Sequence, residues 1–360
     1  MRRPKIKVAV VYNEAQPEMY KKTSESEVKD FEFKTYFEVD KTTPMEEYDY
    51  VVKKLISAGF NAYSLNIRDN IELLLKNLKD EKPDVIFNFI EIYKDNPRLE
   101  MNVVGLYELM GIPYTGAPAM GLANCQNKML AKRLLSSAGI RIPHFFIVHA
   151  KSERYSHKLK YPLLVKPAFE DASVGIENES IVGDSRQLRK RIEHVLKQFH
   201  QPALIEEFIE GRELNVAVMG DKRLRVLPIS EIDFSAMPDH LHNIVSFQAK
   251  WDPHHESYHK TIPICPAPIP KNIEKKAKEL AFKAFKVMGC RDYARVDMRL
   301  SKDNKLFVLE VNPNPDITEG AGFMRSAQKS GLTYAQALKR IVKYALRRGN
   351  SQKPTAEVPA

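Results

Sequence analysis

Two apolar runs near the C-terminus carry polar and charged side chains at alternate positions, within the stretch ARVDMRLSKDNKLFVLEVNPNP. The first run contains Arg295 and Asp297, and the second contains Glu310 and Asn312. Residues i and i+2 of a β-strand lie on the same face of a sheet, so each pair is expected to share a face. The carboxylate and amide oxygens of such a group are suited to holding a hard divalent cation.

A β-hairpin would bring the two pairs together. Between the runs, Asp303 and Asn304 predict a two-residue turn, since both residue types tolerate positive φ. This turn sets the register of the hairpin and makes one of its faces wholly apolar. The predicted pairs across the hairpin are Arg295–Asn312, Val296–Val311, Asp297–Glu310, Met298–Leu309 and Leu300–Phe307.

The predicted register places two carboxylates opposite each other. Like charges at opposed positions destabilise a sheet, so a bound cation is expected to offset the repulsion between Asp297 and Glu310. The alternative is a pair of solvated surface carboxylates beside Arg295. The next residues of the chain, VNPNPDITEG, favour a site, because two prolines and an asparagine fix a non-helical turn directly after the strand.

Further candidate residues lie upstream. Lys166 ends the apolar run LLVKPA and precedes a loop that contains Ser173 and Gly175. This arrangement suits a polyphosphate, although a lysine at this place also fits a solvated strand end. In ALIEEFIEGRELNVAV a turn at Gly211 separates two strands, and Glu213 lies in the second. The acidic residues of this stretch could hold a ribose or serve as edge charges.

Composition restricts the class of protein. The chain has 360 residues, is 43% hydrophobic and 28% charged, and has room for two or three ordinary globular domains. It shows no apolar run that could span a membrane and no signal-peptide pattern, and its three scattered cysteines predict a reduced, cytoplasmic protein. The net charge of +10 could reflect nucleic acid, anionic small molecules or a solvated basic surface, but no nucleic-acid-binding motif is present.

Strand–helix–strand alternation in the first third of the chain predicts a parallel sheet. Residues 13–43 are polar and lack a clear period, which indicates a long insertion or mobile loop. The remaining predicted strands and helices are assigned from hydrophobic periodicity and from stop signals at glycine. Strands are predicted at 6–12, 61–67, 84–90, 145–148, 163–168, 176–182 and 203–209, and helices at 46–58, 69–80, 127–138, 184–199, 271–288 and 333–348.

The order of the motifs along the chain resembles the ATP-grasp superfamily and, within it, the D-alanine–D-alanine ligase family. The motifs are GIPYTG with Lys128 after it, then LLVKPA, EEFIEGRELNVAV, RVDMRL and LEVNPNP, and the resemblance extends from about Gly111 to Arg348. It implies an α/β protein with α+β lobes, an ATP-grasp fold preceded by an N-terminal parallel-sheet (pre-ATP-grasp) domain. The implied parts are a substrate-side domain at 1–118 with the insertion 13–43, a central ATP-grasp lobe at 119–215, a C-terminal lobe with the metal site at 216–349 and a disordered tail at 350–360.

The resemblance also implies an activity. Family members are ATP-dependent carboxylate–amine ligases: a carboxylate attacks the γ-phosphate to give an acyl phosphate, and an amine then displaces phosphate to form an amide. The implied cofactors are ATP and two Mg²⁺ ions, with Mn²⁺ as a substitute. The implied partners are small amino-acid or carboxylate substrates, without nucleic acid or membrane. A homodimer is left open, since family members are often dimers.

Site roles are carried over onto matching positions of this sequence. Lys128 and Lys166 would hold ATP phosphates, and Lys250 would reach the γ-phosphate. Glu206 and the backbone of Glu207, Phe208 and Ile209 would meet the adenine, and Glu213 the ribose. Asp297, Glu310 and Asn312 would hold the metal ions. The implied catalytic residues are Arg295, which would stabilise the developing oxyanion, Lys250 and Ser173.

Several positions depart from the family pattern. VVYNEAQPEMY lacks the usual glycines after the first strand, and Glu14 is only a loose counterpart of the glutamate that binds the first substrate. The usual active-site serine and tyrosine are replaced by Ala172 and Trp251, and a late serine by Ala321. These losses predict substrates other than two D-alanines. New recognition is expected from the 13–43 insertion and from the glutamates Glu14, Glu91 and Glu100.

Two other functions remain open at this point. One is a genuine D-alanine–D-alanine ligase of cell-wall synthesis with a divergent recognition loop. The other is a catalytically inactive ATP-binding regulator, against which the intact group around Asp297 and Glu310 argues. Residues 240–259, named the lid segment, contain five histidines and align with a mobile lid. This segment is expected to be a solvated loop, with a zinc site as the alternative. Trp251 in this segment either closes over substrate or packs against the protein.

Overall fold

The computed structural model describes residues 4–17, 43–152 and 155–352. Most of the predicted 13–43 insertion and the end of the predicted tail lie outside these described residues. Within the described ranges, no helix has both the length and the apolar character needed to cross a membrane.

The N-terminal part contains a parallel sheet with helices on its faces. Its elements are β1 (Lys7–Tyr12), α1 (Pro44–Ser57), β2 (Asn61–Asn66), α2 (Ile71–Glu81), β3 (Val85–Asn88), α3 (Glu100–Leu109) and α4 (Ala119–Gln126). Strand β1 lies between β2 and β3, and both pairings are parallel, as predicted. Residues 8–12 of the central strand are buried, because both faces of the sheet are covered. Thr43 caps α1 in a reciprocal capping box with Glu46.

The central part consists of α5 (Lys128–Ser137), β4 (Phe145–Val148), β5 (Leu163–Pro167), β6 (Ile181–Val182), α6 (Ser185–Gln198) and β7 (Ala203–Glu207). Its four strands form an antiparallel sheet in the order β4–β7–β5–β6. The prediction of a strand at 176–182 is wrong except for its last two residues, which form β6. Its middle is a 3₁₀ turn, in which the Glu177 N–H donates to Ser180 Oγ at 2.9 Å and the Ser180 N–H donates to the Glu177 carbonyl at 3.0 Å. These local bonds satisfy backbone groups that a strand would have to pair.

The C-terminal part contains a six-stranded antiparallel sheet. Its elements are β8 (Gly211–Gly220), β9 (Leu224–Val226), β10 (Ser230–Asp233), α7 (Phe247–Trp251), α8 (Glu256–Lys260), β11 (Ile262–Ile264), α9 (Lys271–Val287), β12 (Asp292–Ser301), β13 (Leu306–Asn312), α10 (Gly322–Lys329) and α11 (Tyr334–Gln352). The strand order is β11–β10–β8–β12–β13, with β9 paired to β8. Helix α9 buries its apolar stripe against one face of β8, β12 and β13. The other face is therefore left for the polar side chains.

The hairpin β12–β13 confirms the predicted pairing where it matters for the site. Asp297 faces Glu310, and the pairs Arg295–Asn312 and Val296–Val311 are also as predicted. The two-residue turn is wrong, because the loop has three residues, 302–304, and ends with Asn304 in the left-handed region at φ 58°. A β-bulge after Asp297 compensates for this longer loop. The pairs Met298–Leu309 and Leu300–Phe307 are consequently wrong, and the observed pairs are Met298–Val308 and Leu300–Leu306.

The hydrophobic cores show which parts of the chain are packed together. Val8 and Leu55 of the N-terminal part share one core with Phe323 and Ile341 of the last two helices. The central sheet has a core of its own, built with α6. The cleft between the central sheet and the C-terminal sheet therefore separates two independently packed bodies.

Candidate active site

A cavity of about 420 Å³ lies in the cleft between the central and C-terminal sheets. Strands β5 and β7 form one wall, β8, β12 and β13 form the other, and the lid segment covers part of it. Twelve predicted site residues line it, and they are Lys166, Ser173, Glu206, Glu207, Phe208, Ile209, Glu213, Lys250, Arg295, Asp297, Glu310 and Asn312. Lys128 lines a smaller cavity next to it, which shares Lys166, Glu310 and Asn312 with the main one.

Asp297 is the best-connected carboxylate of the cavity. The Arg295 guanidinium donates from Nε to Oδ1 at 2.7 Å and from Nη2 to Oδ2 at 2.8 Å. The side-chain amides of Asn215 and Asn312 each donate to the same carboxylate at 2.8 Å. The protein itself therefore neutralises the charge of Asp297 opposite Glu310, and the repulsion expected from the sequence is already offset.

Glu310 lies among cationic side chains. Burial resists ionisation of its carboxyl group, but Lys128, Lys166 and Arg295 outweigh burial and hold its pKa below the usual range. The Asn312 amide lies 3.4 Å from Oε1. An ionised carboxylate in this position has the charge and the hard oxygen donors that a divalent cation requires.

The predicted metal ligands comprise only two carboxylates and one amide. Within the described residues, no group of three or more His, Cys, Asp or Glu side chains could hold a metal ion. The donors Asp297, Glu310 and Asn312 nevertheless fit Mg²⁺, which takes few protein carboxylates and completes its coordination with phosphate oxygens and water.

A buried triad of charges forms part of the cavity wall. The carboxylate of Glu206, which is 1% exposed, lies between the Lys132 Nζ at 2.5 Å and the Lys166 Nζ at 2.8 Å. Burial alone would raise the pKa of Glu206, but the two ammonium groups outweigh it and lower the pKa to about 2. Sequence reasoning missed Lys132, although it lies one helical turn after Lys128 on α5 and so shares its face.

The loop after β5 places Ser173 at the cavity. Ala172 and Ser173 both have left-handed backbones, with φ of 52° and 65°. Gly175 has φ 74°, and a Cβ atom there would lie 2.5 Å from the Pro167 ring, so this position requires glycine. The Lys128 ammonium donates to Asp171 Oδ1 at 2.9 Å and fastens α5 to this loop.

The lid segment is folded rather than a solvated loop, so that prediction is wrong. It contains α7, capped by Ser246, and α8, and His259 is only 1% exposed, with Nε2 lying 2.9 Å from the Pro253 carbonyl oxygen. Two hydrogen bonds fasten the segment to the loop after β5. Ser173 Oγ donates to the Val245 carbonyl at 2.8 Å, and Trp251 Nε1 donates to the Ala172 carbonyl at 2.8 Å.

Glu213 meets a residue that sequence reasoning missed. The Arg299 Nη2 atom lies 3.0 Å from Glu213 Oε2. Burial raises the pKa of Glu213, as do Asp297 and Glu310, while Arg299 opposes this shift. The signal for Arg299 was present in the alternation of β12, since it lies two residues after Asp297 on the same face.

The three glutamates expected to recognise substrate differ in their surroundings. Glu100 is buried, and its carboxylate accepts hydrogen bonds from Gln126 at 2.7 Å and Asn314 at 2.9 Å, so it serves inside the protein. Glu14 and Glu91 lie just beyond the ends of β1 and β3. Glu91 is exposed, yet the surrounding protein and the carboxylate of Asp316 raise its pKa to about 7.

Comparisons with known proteins show the family of the chain. The family model described as D-ala D-ala ligase C-terminus matches residues 134–343. A D-alanine--D-alanine ligase of Zymomonas mobilis is 33% identical over 302 residues, which is 82% of this chain and 87% of that protein. A D-alanine--D-alanine ligase of Carboxydothermus hydrogenoformans is 29% identical over 307 residues, 83% of this chain and 92% of that protein.

The fold has solved counterparts. The crystal structure of a D-alanine--D-alanine ligase from Bacillus anthracis superposes with a TM-score of 0.72 at 22% identity, and covers 97% of this chain and 100% of that one. The same ligase in complex with ATP gives a TM-score of 0.70 at 21% identity with the same coverage. The α/β ATP-grasp fold is thereby confirmed. The chain belongs to the D-alanine–D-alanine ligase family and is an ATP-dependent ligase.

Proposed function

We propose that the protein joins a carboxylate substrate to an amine substrate, with release of ADP and phosphate, and that its preferred pair is not two D-alanines. The observation that carries this proposal is the composition of the cavity wall. The cationic and carboxylate residues suited to ATP and metal meet there, while Ala172 and Ala321 stand where the family pattern has serines. The cationic and carboxylate residues thus support the reaction chemistry, and the two alanines support a change of amino-acid substrate.

The nucleotide would lie between the two walls of the cavity. Lys166 and Lys250 supply positive charge for its phosphates, with Lys128 behind them in the adjoining cavity. The peptide groups of residues 207–209 offer donors and acceptors for the adenine edge, and Glu213 offers a carboxylate to the ribose hydroxyls. The Glu206 carboxylate holds the two lysines Lys132 and Lys166 in place.

Two Mg²⁺ ions, or Mn²⁺ as a substitute, would be held by Glu310, Asp297 and Asn312. When bound, such ions neutralise the charge that develops on a transferred phosphoryl group. The carboxylate of Asp297 would share its oxygens between the cation and Arg295. Two of the five N–H donors of Arg295 are used by Asp297, and the others are suited to stabilise an oxyanion on the acyl carbon.

The ammonium group of the first substrate would be recognised at the N-terminal sheet. Ligands of parallel sheets bind at the carboxyl ends of the strands where the strand order reverses, which here lies between β1 and β3. Tyr12 and Tyr48 stack there with ring centroids 4.1 Å apart, and Phe89 lies 5.3 Å from Tyr48. Aromatic faces beside the carboxylates of Glu14 and Glu91 suit an ammonium group.

The test is a panel of amino acids, dipeptides and small carboxylates, assayed for ADP and phosphate release and compared by kcat/KM with D-alanine alone. The kcat/KM of at least one other substrate pair should exceed that of two D-alanines by roughly a hundredfold, since an enzyme strongly discriminates against a substrate that leaves polar groups unpaired. The Glu310→Gln variant provides the background rate. If D-alanine is the best substrate at a millimolar or lower KM, the protein is a genuine D-alanine–D-alanine ligase, as the names of its relatives suggest.

Family membership favours a ligase over an inactive ATP-binding regulator. We propose a cytoplasmic location from the odd number and wide spacing of the cysteines, Cys125, Cys265 and Cys290. A homodimer is proposed from the family resemblance alone. Sedimentation velocity at several protein concentrations would test it.

A further inference from the structure

Arg299 makes polar contacts in two separate segments that border the cavity, strand β8 and the lid segment. Its guanidinium pairs with Glu213 on β8, where Nη2 and Oε2 are 3.0 Å apart. The Nη1 group donates to the Gly211 carbonyl at 3.1 Å, and Nη2 donates to the carbonyl of Asn243 in the lid segment. The residue is only 3% exposed, so these contacts replace water as its surroundings.

Two aromatic rings restrict the position of the guanidinium. Its carbon lies 5.3 Å from the centroid of Phe208 and 5.5 Å from the centroid of Phe234. Phe208 also lines the cavity, next to the residues expected to meet the adenine. A planar guanidinium held against aromatic faces has its N–H donors in fixed directions, which the flexible ammonium of a lysine does not reproduce.

The contact with Asn243 lies just before the part of the lid segment that borders the cavity. Val245, Ala249 and Lys250, all within seven residues of Asn243, line the cavity wall. The hydrogen bond from Arg299 fixes the backbone immediately before the part of the lid segment that lines the cavity. The same guanidinium therefore holds both a carboxylate suited to the ribose and the beginning of the segment that covers the nucleotide.

We propose that Arg299 is a positioning residue that couples recognition of the ribose to closure of the lid segment. The proposal rests on the ribose role of Glu213 that is part of the proposed function. A ribose hydroxyl that donates to Glu213 orders the carboxylate, the carboxylate orders the guanidinium, and the guanidinium holds the Asn243 carbonyl. Lid closure then depends on the sugar of the nucleotide as well as on its phosphates.

A purely structural role for Arg299 makes a different prediction. A buried arginine that only satisfies backbone carbonyls would stabilise the protein without distinguishing between nucleotides. The discriminating measurement compares ATP with 2′-deoxy-ATP and 3′-deoxy-ATP. We expect the natural protein to prefer ATP over at least one of them by about tenfold or more, the usual effect of a hydrogen bond to a charged group.

The variants are Arg299→Met, which keeps the length and removes the charge, and Arg299→Lys, which keeps the charge and removes the planar fork. The matched control is Arg212→Met. Arg212 forms a comparable pair with Glu231 in the same sheet, at 2.6 and 2.5 Å, outside the cavity wall. Both Arg299 variants should raise KM for ATP by about tenfold, change kcat less, and reduce the preference for ATP towards unity. The control should change none of these quantities.

Lid closure is measured separately, in the natural protein, by hydrogen exchange of residues 240–259. The non-hydrolysable analogue AMP-PNP with Mg²⁺ should protect this segment, and its 2′-deoxy and 3′-deoxy counterparts should protect it less. Equal protection by all three analogues would overturn the coupling, even if both Arg299 variants failed to fold. Unchanged nucleotide preference in folded Arg299→Met would overturn it as well.

Glu213→Gln separates the two proposals. If this variant keeps the KM for ATP and the preference for its ribose hydroxyls, the ribose role of Glu213 is wrong. If Glu213→Gln loses the preference while Arg299→Met keeps it, the ribose role stands and only the coupling through Arg299 fails.

Discussion

Arg295 and Asp297, two residues apart on one face of β12, form a two-pronged ion pair, with Nε–Oδ1 and Nη2–Oδ2 distances of 2.7 and 2.8 Å. This pair replaces the cation that the sequence pattern suggested as the partner of Asp297. A cation is not needed to make the facing of Asp297 and Glu310 tolerable, since the arginine already neutralises one carboxylate. The case for Mg²⁺ rests instead on the ionised Glu310, the available oxygen donors and the family.

Asp297→Asn and Glu310→Gln should each reduce turnover by roughly a thousandfold or more, because each removes a charged ligand expected at the reacting phosphate. The two should differ in stability. Asp297→Asn leaves the half-buried Arg295 without its charged partner and should lower the free energy of unfolding by about 1–3 kcal/mol. Glu310→Gln breaks no comparable two-pronged pair and should cost less. Phosphate release and urea unfolding measure the two effects.

The control for this pair is Asp303→Asn, at the exposed tip of the same hairpin. It should leave both turnover and stability near those of the natural protein. Natural turnover in either cavity variant would contradict the metal assignment. A gain in stability for Asp297→Asn would show that repulsion from Glu310 outweighs the pair with Arg295.

ATP with Mg²⁺ should raise the midpoint of thermal unfolding, because a ligand that binds only the folded state stabilises it. At a hundred times its dissociation constant the gain is about 2.7 kcal/mol. Adding EDTA should remove most of this gain, since the phosphates would then face Asp297 and Glu310 without a cation. Differential scanning fluorimetry with ATP, with ATP and EDTA, and with EDTA alone tests this. An unchanged midpoint with Mg²⁺ and ATP would weigh against the whole assignment.

Trp251→Phe should weaken the closed lid without removing its aromatic ring. The change deletes the hydrogen bond from Nε1 to the Ala172 carbonyl, worth about 1 kcal/mol, and keeps a ring near Lys250, whose Nζ lies 5.1 Å from the indole centroid. We expect kcat/KM to fall about fivefold and proteolysis of the lid segment to accelerate. Trp251→Ala, which removes both contacts, should be slower still. Equal activity of all three proteins would show that Trp251 does not hold the lid.

The triad of Glu206, Lys132 and Lys166 should make the free energy of unfolding depend on pH. The folded pKa of about 2 lies below the unfolded value of about 4.3, so the triad stabilises the protein fully above about pH 5 and progressively less as the pH falls towards 2. Between pH 6 and pH 3.5 the loss should be about 1 kcal/mol. Urea unfolding of the natural protein and of Glu206→Gln at several pH values tests this. Parallel pH profiles of the two proteins would be inconsistent with a depressed pKa.

Alternation along β12 and β13 was sufficient to predict which side chains share a face, because the pattern of period two is local to each strand. That Asp297 lies opposite Glu310 was predicted from the assumed turn. Alternation was not sufficient for the loop. The three-residue turn and the bulge after Asp297 have opposite effects on the register, so the pairing near the site is right although the turn is wrong. A bulge has no clear signature in a single sequence.

Arg299 and Lys132 show what local patterns leave out. Each lies on the expected face of its element, yet its importance comes from partners distant in sequence, such as Asn243 and Glu206. The lid segment shows the converse, because its histidines suggested solvent while His259 is buried by contacts within the folded segment. From the sequence alone, charged and polar residues are predicted to be exposed, because the tertiary contacts that could bury them are not visible there.

The core shared by the two ends of the chain has a consequence for synthesis. Strand β1 leaves the ribosome long before α11, but Val8 and Val10 share their core with residues of that helix. Until α11 has been synthesised, this apolar face of the N-terminal sheet is therefore only partly covered, by α1. A chain that ended before Tyr334 would keep every residue of the cavity wall and still expose that face, so loss of the last helix should send the protein to aggregation rather than produce a folded, slower enzyme.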